Sequence, residues 1–165
     1  MTIFVSILWI LLCVLLQVVL FNQFHFMGGV VLFYLVTLIK MPVDIKLPLQ
    51  ILFGFLTGLL IDIFSNTLGM HALTCTFVMW MRVPIFHLFV LADDFKAGSP
   101  NMTKMGVSEF VRFVITIVLL HSIVLYLIES FSLFNIIPLL TKIIVTTVLT
   151  SSFAIAIEFA LKKKE

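Results

Sequence analysis

The chain reads as an all-α polytopic integral membrane protein, a single transmembrane domain over residues 1–165 built from about six spanning helices. Three observations lead there. Of its 165 residues 62% are hydrophobic and 11% charged, against about 25% charged in an ordinary soluble domain, and its mean hydropathy is +1.29. Apolar runs of spanning length recur between short connections, with no stretch left for a soluble domain. The lysines and arginines fall on alternate connections, as they do when every second loop is cytoplasmic.

Taken in order, residues 2–21 form a continuous apolar run long enough at about 1.5 Å per residue to cross about 30 Å of hydrocarbon. No basic residue precedes it and no small-x-small site follows near residues 21–26, so it reads as a helix of the mature protein rather than a cleaved signal. Residues 24–41 are the weakest span: Gly28 and Gly29 loosen the start, which leaves a short crossing or a re-entrant element. Residues 47–64 follow, with Pro48 in the first turn, where a missing N–H costs least. Residues 68–92 are long for one crossing and contain Arg82 and Pro84; the crossing is expected to stop near Arg82, with residues 83–95 along the interface. Residues 93–108, with Gly98, Ser99, Pro100 and Asn101, make the one extended polar loop. Spans five and six cover residues 110–131 and 138–161, the last opening on Pro138.

Charge fixes the expected topology. Lys40 and Lys46 flank the second connection, Lys96 and Lys104 lie in the fourth, and Lys162, Lys163 and Lys164 follow the last span, whereas residues 22–26, 65–67 and 132–137 hold no Lys or Arg. Six crossings with both termini cytoplasmic give this alternation. The net charge of +2 is too small to argue for nucleic acid. Cys13 and Cys75 both sit inside apolar runs and read as small buried hydrophobes.

Gly54, Gly58 and Asp62 recur every four residues and share one face of the third span. Small residues there let a neighbouring backbone approach closely, the usual basis of helix packing in lipid. Asp62 lies near the outer end of its span, where a carboxylate can fix a helix end or reach water. Ser152, Ala156 and Ala160 give the last span a second small face, and Thr146, Thr147, Thr150 and Ser151 supply it with hydrogen-bonding groups. His121, in the middle of the fifth span, needs a polar partner; a satisfied interior histidine is the plain reading and a ligand or proton role the other. Glu129 and Lys142 fall near the outer ends of adjacent spans and are expected to pair. Arg82, Glu109, Arg112 and Glu158 collect toward the cytoplasmic ends, where such charges snorkel or pair at the headgroup boundary.

The stretch Gly54-Phe-Leu-Thr-Gly58-Leu-Leu-Ile-Asp62-Ile-Phe-Ser-Asn-Thr-Leu-Gly69-Met-His-Ala72-Leu73 resembles the core of the rod shape-determining protein MreD family. In that family a Gly-x-x-x-Gly-x-x-x-Asp helix ends in a short outer turn and a Leu-Gly opens the next span. The resemblance implies a small scaffold in the bacterial inner membrane, part of the cell-elongation machinery. Its implied partners are MreC, a single-span protein, and through it the actin-like MreB and the peptidoglycan synthases. It also implies a bundle similar to the substrate-binding subunits of energy-coupling-factor vitamin transporters. Gly54, Gly58, Asp62, Gly69, Ala72 and Leu73 would then form a helix-packing or partner surface.

No nucleophile with a base, metal-ligand spacing or Gly-rich phosphate loop stands in the chain, so neither an enzyme nor a cofactor is expected. The rival class is a vitamin-binding transporter subunit, with Asp62, His71 and His121 around an outward cavity. Abundant Phe beside two Trp and two Tyr argues mildly against so specific a pocket.

Overall fold

The computed structural model describes residues 12–19, 28–90, 98–130 and 136–162. Seven helices are assigned among them: α1 (residues 12–19), α2 (Leu35–Ile39), α3 (Leu47–Ser65), α4 (Met70–Phe89), α5 (Met102–Met105), α6 (Val107–Ser130) and α7 (Ile136–Lys162). Four of them, α3, α4, α6 and α7, are long and apolar enough to cross a membrane. The chain is thus a helical protein compatible with multiple passes through a bilayer.

The four long helices match the third to sixth expected spans closely. Pro48 stands in the first turn of α3, and Asn66 ends it in the left-handed region at φ 54°. The expected break at Arg82 does not occur, because α4 runs unbroken from Met70 to Phe89 with Pro84 inside it. Pro84 and the neighbouring Trp80 both lie on the exposed side of the helix, so the missing N–H disturbs no packed contact. The polar loop is shorter than expected, since it contains α5 and gives way to α6 at Val107. Of the first expected span only residues 12–19 are described, and these are helical.

The second expected span is not a continuous helix. Over its described part, residues 28–33 are not helical, and regular helix is confined to the five residues of α2. The cause lies at the glycines. Gly28 has φ +80°, and a Cβ on Gly29 would fall 2.8 Å from Val145 Cγ1 and 3.0 Å from the Thr146 backbone nitrogen. The chain therefore lies directly on α7 in an open conformation that a side chain at Gly29 would obstruct.

The apolar core sits between α4 and α6 and under α2. Cys75, Val78, Met79 and Phe86 of α4 meet Phe110, Phe113, Val114 and Ile117 of α6, with Leu35 and Leu38 of α2. Phe86 and Phe113 stack edge to face at 5.6 Å, an arrangement favoured by the ring quadrupoles. Both cysteines are buried free thiols, as their apolar surroundings predict.

Candidate functional site

The motif of residues 54–73 builds a helical hairpin closed on itself. A Cβ at Gly58 would stand 2.4 Å from the His71 carbonyl oxygen and 2.6 Å from Ala72 Cα, and one at Gly54 would stand 2.6 Å from Met79 Cγ and 2.9 Å from the Cys75 carbonyl oxygen. The small-residue face of α3 is thus filled by α4 of the same chain. Such an approach is the means by which helices gain packing energy in lipid.

That approach brings Asp62 to the start of α4. Its Oδ1 accepts from the His71 N–H at 3.1 Å and its Oδ2 from the Ala72 N–H at 2.8 Å. Gly69 precedes the helix at φ +79° and offers no side-chain cap, so a carboxylate from the neighbouring helix satisfies two N–H groups of the first turn. Thr67 Oγ1 and His71 Nδ1 also donate to Oδ1, the latter at 2.9 Å. Asp62 is 3% exposed, and these four donors are what allow a carboxylate to be buried there. Ala72 is buried against α3, whereas Leu73 is exposed on the far side of α4.

A second polar group joins the hairpin to the centre of the bundle. Tyr34, just before α2, is hydrogen-bonded through its hydroxyl to His121 Nε2 at 3.0 Å, and Cys75 Sγ lies 3.8 Å from the same nitrogen. The Tyr34 ring packs edge-on to both His121 and His71. His121 is fully buried, and its Nδ1 has no hydrogen-bond partner among the described residues. Asp62, His71, Tyr34, His121 and Cys75 thereby form a chain of hydrogen bonds and ring contacts from the α3–α4 turn into mid-bundle.

The third group holds the irregular segment. Val30 N–H donates to Thr146 Oγ1 at 3.1 Å, Leu32 N–H to Thr150 Oγ1 at 3.0 Å, and Phe33 N–H to Gln17 Oε1 at 2.6 Å, while Gln17 Nε2 donates to the Val31 carbonyl. Open backbone at membrane depth is tolerated only when protein satisfies it. Here side chains of α1 and α7 supply the bonds. Further along, Lys40 Nζ pairs with Glu158 Oε2 at 2.6 Å, and Glu158 Oε1 also accepts from the Met102 N–H. Gly28 lies beside Lys142 at the other end. The segment therefore runs along α7 from Lys142 to Glu158, a rise of about 24 Å at 1.5 Å per residue.

Arg82 departs from the expected snorkelling. It is 0% exposed and turned inward: it donates to Gln50 Oε1 at 2.9 Å, to the Ile39 carbonyl at 3.0 Å and to the Met41 carbonyl. The last turn of α2 leaves carbonyls without helical partners, and a guanidinium at a helix C-terminus satisfies them. Gln50 is in turn held by the Ile45 and Val43 carbonyls. Glu129 and Lys142 do pair, at 2.9 Å and well exposed, with Lys142 Nζ also 5.6 Å from the Tyr126 ring centre. Among the described residues no group of three or more His, Cys, Asp or Glu could hold a metal.

Reasoning from sequence missed Tyr34, Gln17 and Gln50. A lone polar residue inside an apolar run was the available signal for each, and the partners lie too far along the chain to be paired by spacing. In comparisons with known proteins no family model, characterised protein or solved structure matches the chain.

Proposed function

We propose that this chain is a non-enzymatic scaffold of the bacterial cell-elongation machinery, of the MreD kind, which binds an MreC-like single-span protein in the inner membrane. Through that partner it would act on MreB and the peptidoglycan synthases. The observation that carries this reading is the α3–α4 hairpin. In the resembling motif Gly54 and Gly58 admit α4, and Asp62 caps it. At its tip the hairpin leaves Ile63, Phe64 and Leu68 exposed, beside the polar Asn66. Because α4 fills the glycine face, the partner would meet this outward surface.

The six-crossing topology belongs to the same proposal. The course of residues 28–40 beside α7 covers about 24 Å, close to the roughly 30 Å of a hydrocarbon core, which supports a second crossing made partly in extended form. Lys40, Arg82 and Glu158 share one end of the bundle, and the excess of lysine in connections at that end supports a cytoplasmic location for both termini.

The test is a gentle-detergent pull-down of the tagged protein from its native membrane, with proteins and small molecules both identified by mass spectrometry. Recovery of an MreC-like single-span protein, lost in a Phe64→Asp/Leu68→Asp variant, is the expected result. A bound vitamin with ATPase subunits would replace the scaffold reading with the transporter one.

A further inference from the structure

The helices α6 and α7 carry buried hydroxyls that nothing in the scaffold reading uses. Ser122 Oγ, Thr147 Oγ1 and Ser151 Oγ have no hydrogen-bond partner among the described residues, and their residues are 0%, 8% and 5% exposed. Hydroxyls on lipid-embedded helices ordinarily bond back to the carbonyl four residues earlier. Thr57, Thr74, Thr76, Thr116 and Thr141 all do so in this chain. Thr146 and Thr150 bond other segments instead, so these three hydroxyls stand out as the ones with neither kind of partner among the described residues.

Their positions converge on one seam. The Tyr126 hydroxyl bonds Thr146 Oγ1 at 2.7 Å, and the Tyr126 ring packs with Leu139 and Ile143, which fixes the register of the two antiparallel helices. One turn further in, Ser122 follows Tyr126 on α6 and Thr147 follows Ile143 on α7. Ser151 follows one turn beyond that. The seam leads outward, past the Tyr126–Thr146 bond, to the exposed Glu129–Lys142 pair.

Buried polar groups are satisfied by protein or by ordered water, and a water site needs two to four polar partners. We propose that the α6–α7 seam is an internal hydration site, entered from the end marked by Glu129 and Lys142, whose waters bond Ser122 Oγ, Thr147 Oγ1 and Ser151 Oγ. Water inside a spanning bundle supplies what the protein omits at these hydroxyls. It also brings a polar file to within one residue of the buried His121.

Hydroxyl-radical footprinting of the full chain in lipid nanodiscs tests this, since radicals formed from water label side chains that water touches. In the unsubstituted protein Tyr126 should be labelled several-fold more than Tyr34, which is buried against His121. The thiol introduced by Ser122→Cys should likewise be labelled several-fold more than that introduced by Ile117→Cys, a position buried in the apolar core. Labelling of both seam positions at the level of their controls would mean a dry seam. Labelling of Tyr126 alone would confine water to the mouth. Either result overturns the proposal, and neither bears on partner binding.

Discussion

Replacing Gly58 by Ala tests the hairpin most directly, because the three atoms its Cβ would meet are all backbone. The nearest is the His71 carbonyl oxygen at 2.4 Å, where ordinary contact begins at 3.4 Å. Neither a rotamer change nor a side-chain shift can relieve it, so α3 and α4 must part by about 1 Å at this level. Asp62 stands one turn away. The same displacement stretches its 2.8 Å bond to the Ala72 N–H to about 3.8 Å, beyond hydrogen-bond reach. Overpacking of this kind costs about 1–3 kcal/mol, and a buried charged group that loses a donor adds about 1.5–3 kcal/mol. Gly58→Ala should therefore destabilise the protein by about 2.5–6 kcal/mol. Detergent-driven unfolding in mixed lipid micelles, followed by circular dichroism, measures it. Asp62→Asn acts through the same contact, so the double variant should fall short of the sum of the two by at least about 0.5 kcal/mol. A Gly58→Ala variant within about 0.5 kcal/mol of the parent, or strict additivity with Asp62→Asn, would refute this account of the motif.

Thr150→Val keeps the shape of the side chain but orphans the Leu32 N–H; it should cost about 1–3 kcal/mol in the same unfolding assay, while Thr150→Ser stays near the parent. Arg82→Lys cannot fork between the Ile39 carbonyl and Gln50 Oε1; a loss of about 3 kcal/mol or more is expected, with faster proteolysis of the 40–46 connection as a second readout. Lys142→Ala removes an exposed pair and should change stability by no more than about 1 kcal/mol, with that small effect vanishing at high salt.

How far the sequence reaches can be judged residue by residue. The helices α3, α4, α6 and α7 were legible because unbroken apolarity over a spanning length is the direct mark of a segment solvated by lipid. The small face at Gly54 and Gly58 was legible as well, since a four-residue period is a property of one helix. What fills that face was not, because a groove for α4 and a groove for another protein read alike in sequence. The pairing of Glu129 with Lys142 followed from their equal depth. The course of residues 28–34 did not, because its bonds run to Thr146 and Thr150, 116 and 118 positions away. Arg82 misled for a similar reason. A guanidinium near a span end ordinarily snorkels, and only the arrival of the α2 C-terminus beside it makes the interior the better solvent.

The polar residues of α7 thus divide by azimuth. Adjacent helix positions differ by about 100° around the axis, so Thr146 and Thr150 share the side that meets the irregular segment, Thr146 also reaching Tyr126 of α6, while Thr147 and Ser151 stand about 100° further round. The first pair replaces the hydrogen bonds a helix would have made for itself, a requirement wherever open backbone lies in lipid. The second pair makes no such bond among the described residues. Structural need therefore accounts for Thr146 and Thr150, and the proposed seam waters would account for Thr147 and Ser151. Thr147→Val and Ser151→Ala should accordingly leave the fold intact where Thr150→Val weakens it, and should remove the label from the seam. Equal destabilisation by both pairs would mean that all four hydroxyls hold the fold, and the division by azimuth would fail.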